Sequence, residues 1–394
     1  MKLKSREIFE PAPKPGTLIW ASAHYTRGQG GAMLRWRSIE SKSDLLDTMD
    51  QSFSEDNGRT WSPWTPVDFL SKSKSGTFRR WVMIRVPDPY TGRLLLVLLE
   101  GTLPTDDPLE GMQHYTLAYR VSADGGRSFI VNERIIQKGA YSPDHPAEGV
   151  WVGRNAMMSG YCALFAPEGR ILIPITITPM GPNGVWHSPG GGWSYEDSAV
   201  MIGQWQKDGR IEWQRSQLIQ ADPKRTTRGL DEPALARMPD GRILIVMRGS
   251  NDGKPELPGY KWYSISGDDG FTWQKPQPWG YDDGAPFFSP SALSVLIEHT
   301  NGKYYWIGNI CSRNADGNEP RYPLVIGEVD PRSLLLVKKT VMVIDDRGPD
   351  ESEMLQLSNY SAHEDRENGD IVIYMTRLNV APMRGDALIY RLKP

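Results

Sequence analysis

Short runs of apolar and β-branched residues, each preceded by a turn that contains glycine, recur along the whole chain. One such run is Ile243–Val246, which follows the turn at Asp240-Gly241-Arg242. A tight glycine turn followed by apolar residues is typical of a β-hairpin, in which the turn leads into a strand. The turn glycines recur at intervals of 61–77 residues and are Gly16, Gly92, Gly169, Gly241, Gly302 and Gly369.

The spacing of these turns indicates one large repeat architecture. Each interval leaves room for about four strands, which is the size of one blade in a β-propeller. The residues outside the first and last turns are divided between the two termini, so we expect the terminal strands to share a blade. The pattern predicts an all-β fold: a six-bladed β-propeller of four-stranded antiparallel blades, with residues 1–394 as a single domain. A β-sandwich of unrelated hairpins is the alternative.

A second pattern lies out of phase with the first. Three octapeptides, Ser54–Trp61, Ser122–Phe129 and Ser266–Trp273, share the sequence Ser-x-Asp-x-Gly-x-Ser/Thr-aromatic. The Asp side chain can accept backbone N–H bonds within a turn, and the aromatic ring can fill the space between strands. We therefore expect these octapeptides to serve folding rather than catalysis.

Composition narrows the classes of function. The 45 Lys+Arg and 48 Asp+Glu residues give a net charge of −3, which argues against binding nucleic acid or an anionic membrane through bulk charge. No apolar segment is long enough for membrane insertion. The 39 Gly and 31 Pro residues argue against a helical bundle.

Chemistry that depends on metals or cofactors is not indicated. Cys162 and Cys311 each stand alone, and the six histidines are scattered without ligand spacing, so we expect no disulfide, no metal site and no cofactor. The first ten residues lack the apolar run of a secretory signal. A cytoplasmic protein is the expectation, and an exported protein that has lost its signal is the alternative.

The three octapeptides resemble the Asp-box, or BNR repeat, of the sialidase (neuraminidase) superfamily, whose members are six-bladed propellers. The resemblance extends over nearly the whole chain in architecture, while the functional motifs match in patches. Asp-boxes also occur in other glycosidases and in propellers that are not enzymes, so they do not identify the substrate.

The resemblance implies a site in which three arginines bind the carboxylate of the substrate. Ile84-Arg85-Val86-Pro87 resembles the family motif that carries the first arginine, and Arg248 ends a strand that corresponds to the second. The third is Arg321, with Arg313 as the alternative. Converging guanidinium groups would give charge-assisted, bidentate recognition.

The resemblance also implies the catalytic groups. The segment around Tyr360 resembles the one that carries the family's nucleophilic tyrosine, and a neutral phenol is less repelled by the substrate carboxylate than a carboxylate nucleophile. Asp231-Glu232-Pro233 resembles the segment of the glutamate that deprotonates this phenol. Asp106 or Asp107 follows at the distance of the acid that protonates the leaving group.

Two features depart from the family. The run Leu99-Glu100-Gly101 lacks an arginine that sialidases commonly carry there, which weakens the case for sialic acid itself relative to other acidic sugars. The insert 179–193 has no secondary-structure pattern and contains Trp186 and Trp193. These rings could stack on sugar faces, or they could be buried in a flexible flap.

The leading hypothesis is a sialidase-like exo-glycosidase that removes terminal acidic sugars from glycans with retention. Another propeller glycosidase or a uronic-acid lyase would keep the site and change the chemistry. A non-catalytic glycan-binding propeller would keep the fold alone.

Overall fold

The computed structural model describes residues 1–42, 44–380 and 383–394. The strands of the first part of the chain are β1 (Lys2–Glu10), β2 (Leu18–Tyr25), β3 (Met33–Lys42), β4 (Leu45–Leu46), β5 (Asp50–Ser54), β6 (Thr65–Pro66), β7 (Leu70–Ser73), β8 (Gly76–Pro87), β9 (Leu94–Leu103), β10 (Thr116–Ser122) and β11 (Val131–Arg134). Those of the middle part are β12 (Met157–Ser159), β13 (Leu164–Phe165), β14 (Arg170–Ile177), β15 (Asp197–Trp205), β16 (Ile211–Arg215), β17 (Asp231–Arg237), β18 (Ile243–Arg248), β19 (Lys261–Ser266) and β20 (Gln277–Pro278).

Those of the last part are β21 (Val295–Glu298), β22 (Tyr304–Asn309), β23 (Leu324–Val329), β24 (Met342–Asp345), β25 (Leu355–Gln356), β26 (Tyr360–Glu364), β27 (Ile371–Thr376), β28 (Leu378–Val380), β29 (Met383–Arg384) and β30 (Ala387–Lys393). Helix within the described ranges is limited to α1 (Gly111–His114) and the 3₁₀ turns Pro108–Glu110 and Lys338–Thr340. No helix in this part of the chain is both long enough and apolar enough to span a membrane.

Six antiparallel sheets, numbered here in chain order, account for most of the strands in the described residues. They are sheet I (β2-β3-β5-β6, with β4 beside β3), sheet II (β7-β8-β9-β10-β11), sheet III (β12-β14-β15-β16, with β13 beside β14), sheet IV (β17-β18-β19-β20), sheet V (β21-β22-β23-β24) and sheet VI (β26-β27-β30-β1). A short sheet of β25, β28 and β29 accompanies them. The prediction of an all-β chain of antiparallel sheets is confirmed. The prediction of four strands in each is wrong for sheets I, II and III, which have five strands because β4, β7 and β13 are added to them.

Neighbouring sheets contact each other in sequence order, and the last contacts the first. The contacts run from sheet I to II through β2 and β8, from II to III through β10 and β12, and from III to IV through β14 and β17. They continue from IV to V through β17 and β21, from V to VI through β21 and β26, and return to sheet I through β27 and β2. The six sheets therefore form a closed cycle of contacts.

The two termini close sheet VI. Strand β1 pairs antiparallel with β30, which brings Lys2 opposite Lys393 and Glu10 opposite Ala387. Both terminal strands therefore lie in the same sheet. The apolar runs that follow the glycine turns lie in the core between sheets; Val97 of β9 and Ile173 of β14, for example, are both fully buried in one cluster.

All six turn glycines have positive φ, between 69° and 87°, which is the backbone conformation that glycine adopts without strain. Gly241, Gly302 and Gly369 join the first strand of a sheet to the second, Gly92 joins β8 to β9, and Gly169 joins β13 to β14. Gly16 is different, because it leads into β2, the first strand of sheet I. The equivalent turn of sheet I lies between β2 and β3 and contains Gly30, whose φ is 76°. The sequence repeat was therefore assigned one strand too early in this sheet.

The three octapeptides form the same turn, which follows β5 in sheet I, β10 in sheet II and β19 in sheet IV. In the second, Asp124 accepts hydrogen bonds from the backbone N–H of Arg127 (3.0 Å) and Ser128 (2.8 Å). The hydrogen bonds predicted for the Asp side chain within the turn are confirmed. The prediction for the aromatic ring is wrong in one copy, because Phe129 is 37% exposed while Trp273 is buried.

Candidate functional site

All six sheets contribute to one cavity of about 810 Å³. Its walls include residues of the first strands β2, β17, β21 and β26, residues of β8, which follows the short edge strand β7 in sheet II, and residues 161–163, which lie between β12 and β13 in sheet III. Because one of these strands or segments from every sheet faces this space, the cavity is the place where side chains from all six repeats can meet.

The cavity has two chemically distinct ends. At the Glu232 end the first strands begin: Glu232 is the second residue of β17 and Tyr360 the first of β26, and the Glu232 charge helps to raise the pKa of Tyr360. At the Arg85 end the first strands finish. There Arg85 and His363 both help to lower the pKa of His24, which burial lowers most.

Glu232 and Arg248 lie together, as the sequence predicts. Arg248 Nη1 lies 3.1 Å from Glu232 Oε1, and Arg248 Nη2 donates a hydrogen bond to Asp231 Oδ2. The side chains of Arg248 and Asp231 are 7% and 14% exposed. Burial tends to lower the pKa of Arg248, but Asp231, Glu232 and Glu196 raise it above its usual value, so the guanidinium remains charged.

The backbone at Glu232 is strained. Its φ is 46°, and the pairing of β17 with β18 shifts register between Asp231 and Ala234. A bulge of this kind re-aims a side chain, and a non-glycine residue at positive φ is costly, which is a pattern found at functional sites. Glu232 Oε2 is buried and makes no hydrogen bond to the described residues. The carboxylate therefore has one oxygen held by Arg248 and one that can accept a proton.

Two more buried ionisable groups, Glu196 and Arg228, interact electrostatically with this cluster. They are 1% and 3% exposed. Burial, and then Asp231, raise the pKa of Glu196, while Arg228 and Arg248 oppose that rise. Burial, and then Arg248, lower the pKa of Arg228 to about 10, against the effect of Glu196. The Glu232 end thus combines buried charges of both signs.

The insert 179–193 lies against the segment that carries Arg228. A Cβ on Gly190 would come within 2.2 Å of the carbonyl oxygen of Thr227, which explains why the insert needs glycine there. Trp193 is 49% exposed, and its ring lies 3.9 Å from the Arg228 guanidinium carbon. Trp186 is half-buried, and its backbone N–H donates to the carbonyl of Arg154 at 2.8 Å. Of the two tryptophans, Trp193 is the one placed beside the charge cluster.

Tyr360 is buried, although it contributes to the cavity wall. Its hydroxyl oxygen lies 3.0 Å from the carbonyl oxygens of both Leu293 and Ile307. Burial, and then the Glu232 charge, raise its pKa well above the ordinary value. No hydrogen bond joins Tyr360 to Glu232 in the described residues, so the proton transfer predicted between them would require the phenol to leave its carbonyl acceptors.

Tyr161 is a second phenol at this end, and the sequence analysis did not single it out. It lines the cavity, is 44% exposed, and its hydroxyl makes no hydrogen bond to the described residues. Burial of the phenol within the cavity walls raises its pKa, and the Glu232 and Asp231 charges raise it further, while Arg248 lowers it. Tyr161 is thus open to the cavity and within the electric field of the cluster.

Lys261 lies opposite Arg248 in the ladder between β18 and β19 and is fully buried. Its ammonium group donates to the carbonyl oxygens of Ala292 and, at 3.4 Å, Leu293. Burial lowers its pKa to about 7, against the effect of Glu232. Because Leu293 O also accepts the Tyr360 hydroxyl, Lys261 helps to hold the strand end that positions this tyrosine.

Asp106 and Asp107 have structural contacts that do not favour the predicted proton transfer. Asp106 binds Arg79 through both oxygens, at 2.6 and 2.9 Å, and this pairing lowers its pKa. Asp107 caps the 3₁₀ turn that follows it by accepting from the backbone N–H of Leu109 at 2.9 Å. A carboxylate held ionised by arginine is a poor proton donor.

Two other carboxyl groups, Glu40 and Asp44, line the cavity in sheet I. Glu40 accepts from Trp20 Nε1 at 2.5 Å and from the backbone N–H of Asp44 at 2.7 Å. Burial raises the pKa of Glu40 to about 7. The Asp44 charge also helps to raise the pKa of Tyr161, so Asp44 and Tyr161 share one electrostatic environment.

Of the three predicted arginines, Arg248 and Arg321 share the electrostatic environment of Glu232, whose charge acts on both guanidinium groups. Arg321 donates to Ser291 O and to the side chains of Gln356 (2.9 Å) and Asn318 (3.1 Å), and burial lowers its pKa. Arg85 lies at the other end of the cavity and makes no ion pair with a described residue. The part of the chain that the structure describes also contains no group of acidic, His and Cys side chains arranged to hold a metal ion.

A repeat signal could have revealed Tyr161. It precedes the turn glycine Gly169 by eight residues, while Glu232 and Tyr360 precede Gly241 and Gly369 by nine. Residues eight or nine positions before a turn glycine therefore lie at the Glu232 end of the cavity. No comparable signal identifies Glu196 and Arg228, because they reach the cluster only when sheets III and IV pack together.

The comparisons with known proteins agree with the fold. A family model described as a BNR repeat-like domain matches residues 64–361. No curated protein matches the chain. Among solved structures, a protein of unknown function from Dyadobacter fermentans has a TM-score of 0.63 and 12% identity, and the match covers 100% of both chains.

Two sialidase structures are also similar. The K499G mutant of NanB sialidase from Streptococcus pneumoniae has a TM-score of 0.61 and 12% identity, with 98% of this chain and 70% of that chain covered. The intramolecular trans-sialidase from Ruminococcus gnavus, solved in complex with oseltamivir carboxylate, has a TM-score of 0.61 and 12% identity, with 95% and 94% covered. At this identity the likeness concerns the fold.

Proposed function

We propose that this chain, which belongs to the family of BNR repeat-like domains, is a sialidase-like exo-glycosidase that removes terminal acidic sugars from glycans with retention. The observation that carries the proposal is the state of Glu232. Its carboxylate is held by Arg248 on one oxygen, has no hydrogen-bond partner among the described residues on the other, and sits on a strained bulge. Its charge acts on Tyr161 and Tyr360, which both line the cavity. A general base needs a fixed position and an acceptor oxygen that is not already bonded.

We also propose that the six sheets are the blades of one six-bladed propeller formed by residues 1–394. Three observations support this arrangement: the closed cycle of contacts between sheets, the pairing of β1 with β30, and the fold shared with sialidases. In such a ring the cavity is the central channel, and ligands bind where loops of successive blades meet at one end of it.

In the proposed reaction a tyrosine oxygen attacks the anomeric carbon while Glu232 accepts the phenol proton. The bond to the leaving oxygen breaks, and that oxygen takes a proton from a carboxylic acid. Water then attacks the anomeric carbon of the glycosyl–tyrosine intermediate and gives a proton to the carboxylate that served as the acid. The bond from the sugar to the tyrosine oxygen breaks, that oxygen takes back its proton from Glu232, and the sugar leaves with its original anomeric configuration. The charged guanidinium of Arg248 positions the base and lies close to where a substrate carboxylate would bind.

Two phenols compete for the nucleophilic role. The family resemblance favours Tyr360, whereas the contacts favour Tyr161, because the Tyr360 hydroxyl is bonded to backbone carbonyls and the Tyr161 hydroxyl is open to the cavity. Asp44, which lines the cavity and acts on Tyr161, replaces Asp106 and Asp107 as the proposed proton donor.

Trp193 provides the proposed sugar-stacking surface. Its exposed ring is held against Arg228, whose charge belongs to the cluster around Glu232. A ring fixed in this way offers a rigid apolar face at little entropic cost when a sugar binds.

The test is turnover of a panel of fluorogenic sialosides and uronides by the Glu232→Gln variant. We expect kcat to fall by about 10²–10⁴-fold, because the amide cannot accept the phenol proton. Glu212→Gln, which changes an exposed carboxylate on β16, is the matched control and is expected to retain full activity. Normal turnover by Glu232→Gln would refute the mechanism.

The same assay separates the two tyrosines. Tyr161→Phe and Tyr360→Phe each remove one hydroxyl, and loss of turnover in the first variant alone would assign the nucleophile to Tyr161. Loss in the second alone, with an unchanged melting temperature, would assign it to Tyr360. Full activity in both variants would exclude a tyrosine nucleophile.

A non-catalytic glycan-binding propeller is the second candidate function. It is favoured by the contacts of Tyr360 and Arg321, which are satisfied by neutral oxygens of the protein itself. Under this alternative the sialosides and uronides of the panel bind to the protein, but no hydrolysis product forms. An unsaturated product would instead indicate a uronic-acid lyase.

A further inference from the structure

The end of the cavity away from Glu232 carries two arginines without carboxylate partners. Arg85 and Arg366 both line the cavity, and neither forms an ion pair with any residue that the structure describes. Most other partly buried arginines of this chain have such partners; Arg79, for example, binds Asp106. Two unpaired guanidinium groups in one cavity produce a positive potential that the protein does not neutralise by itself.

The guanidinium of Arg85 is held by groups that leave its charge available. Its carbon atom lies 4.9 Å from the centre of the Trp36 ring, and Nη1 donates to the carbonyl of Val82 at 3.3 Å. The Trp36 ring covers one face of the guanidinium, and the Val82 carbonyl accepts one of its N–H groups. The remaining N–H groups have no acceptor in the described residues. Burial lowers the pKa of Arg85 to about 9, which still leaves it charged at neutral pH.

The neighbouring titratable groups do not supply a counter-charge. His24 bonds to Ser22 Oγ at 2.8 Å, and His363 has its pKa lowered to about 4 by burial, so both imidazoles are neutral near pH 7. Glu364, a carboxylate of the cavity wall, is bonded to the backbone N–H and hydroxyl of Thr300. Asp365, which acts on His363 and Tyr25, is paired with Arg391 at 3.2 Å and accepts a hydrogen bond from Asn57. Both of these acids are therefore bonded to other groups.

Arg366 is the second arginine at this end of the cavity. Its guanidinium carbon lies 4.0 Å from the centre of the Tyr25 ring, and Nη1 donates to the carbonyl oxygens of Arg27 and Gly30. Arg366, which is exposed, lies two residues after the end of β26, and Arg85 is the third residue from the end of β8. Both arginines therefore lie near the ends of strands that line the cavity.

We propose that the Arg85 end of the cavity is an anion-binding site, separate from the Glu232 end, that takes the carboxylate or phosphate group of a small ligand. Planar guanidinium groups bind both oxyanions through paired, charge-assisted hydrogen bonds. A ligand there would supply the negative charge that Arg85 and Arg366 lack. The site does not depend on the proposed glycosidase activity.

Calorimetric titration of the full chain with inorganic phosphate and with free glucuronate tests this site and distinguishes the two ligand classes. We expect at least one of these anions to bind. Arg85→Gln should weaken that binding by about tenfold or more, since hydrogen bonds to charged groups are the stronger ones. Arg85→Lys should restore part of the affinity, because it keeps the charge without the planar fork.

Two controls assign the effect to this end of the cavity. Arg93→Gln removes another arginine of sheet II that is stacked on a tryptophan ring, Trp205, outside the cavity, and should bind like the unmodified chain. Glu232→Gln should also leave anion binding unchanged, even if it abolishes turnover. If Arg85→Gln does not fold, Arg366→Gln is measured in its place and should show the same loss. Absence of binding to the unmodified chain, or equal affinity of these arginine variants and the unmodified chain, would overturn the proposal.

Discussion

At the scale of single residues, the cluster around Glu232 is expensive to maintain. It places Glu196, Asp231 and Arg248 in a mostly buried space, and it holds Glu232 at positive φ. Buried charges are costly unless paired, and removing one partner of a buried pair costs about 3–5 kcal/mol. A protein keeps such a cluster where its chemistry is used, which agrees with the role proposed for Glu232.

Lys261 makes the stability of this cluster dependent on pH. The pKa of Lys261 is about 7 in the folded chain and returns to the ordinary lysine value of about 10.4 on unfolding. Between these values the unfolded chain binds more protons than the folded chain, so the free energy of unfolding rises with pH, by up to about 1.4 kcal/mol per pH unit. Lys261→Met should remove this rise. Urea unfolding at pH 7, 8 and 9 measures it.

The control for this prediction is Lys207→Met, which changes an exposed lysine and should keep the pH dependence of the unmodified chain. If the unfolding free energies of Lys261→Met and the unmodified chain run parallel from pH 7 to pH 9, Lys261 is charged in the folded protein. Its lowered pKa would then be disproved.

At the scale of elements, the octapeptide turns show how a short local pattern specifies a strand connection. In the third copy, Asp268 accepts hydrogen bonds from Thr272 N (2.9 Å), Thr272 Oγ1 (2.7 Å) and Ser266 Oγ (2.8 Å). These partners all lie within four residues of Asp268, so the turn can form before the sheets pack. The side chain acts within its own turn and lies outside the cavity wall.

Asp268→Ala should therefore lower stability and leave the site intact. The loss of three hydrogen bonds is expected to reduce the free energy of unfolding by about 1–3 kcal/mol. Asp268→Asn, which retains an accepting oxygen, should lose less. Denaturant unfolding gives these differences, and glycan turnover or binding under native conditions should match the unmodified chain. An unchanged unfolding midpoint in Asp268→Ala would contradict the folding role.

At the scale of the whole molecule, the pairing of β1 with β30 joins the first and last repeats. Sheet VI takes three strands from the end of the chain and one from its beginning. The contacts between successive sheets then have no free end, which protects sheet surfaces that would otherwise be exposed. Closure of the ring should matter more to stability than the position of the chain ends.

A circular permutant tests this expectation. A short Gly/Ser linker between residues 394 and 1 spans little distance, because Lys2 lies opposite Lys393. New termini can be placed at Lys74, in the exposed hairpin tip between β7 and β8. We expect the permutant to keep the circular dichroism spectrum and to melt within a few degrees of the unmodified chain.

Deletion of residues 1–10 is the matched comparison, since it removes β1 and leaves the edge of β30 unpaired. It should melt well below the permutant. If the permutant unfolds while the deletion remains stable, the pairing of the termini does not hold the sheets together.

Local sequence determined the strands, the turns and the number of repeats. The glycine turns and the Asp turns are specified by residues a few positions apart, and their geometry depends on φ and on hydrogen bonds within the turn. The pairing of Glu232 with Arg248 was also predictable, because the two residues flank one hairpin. The Gly16 turn was misassigned because its local pattern does not state which strand of a sheet follows it.

The tertiary structure alone decided which side chains share an electrostatic environment. Tyr161, Glu196, Arg228 and Lys261 reach the Glu232 end from separate segments of the chain, and Arg85 reaches the opposite end because it lies near the end of β8. Burial and the field of neighbouring charges set the pKa of each group, and both depend on sheets that are distant in sequence. The repeats are therefore determined by short sequence patterns, whereas the charge distribution of the cavity is determined by the packing of six sheets around it.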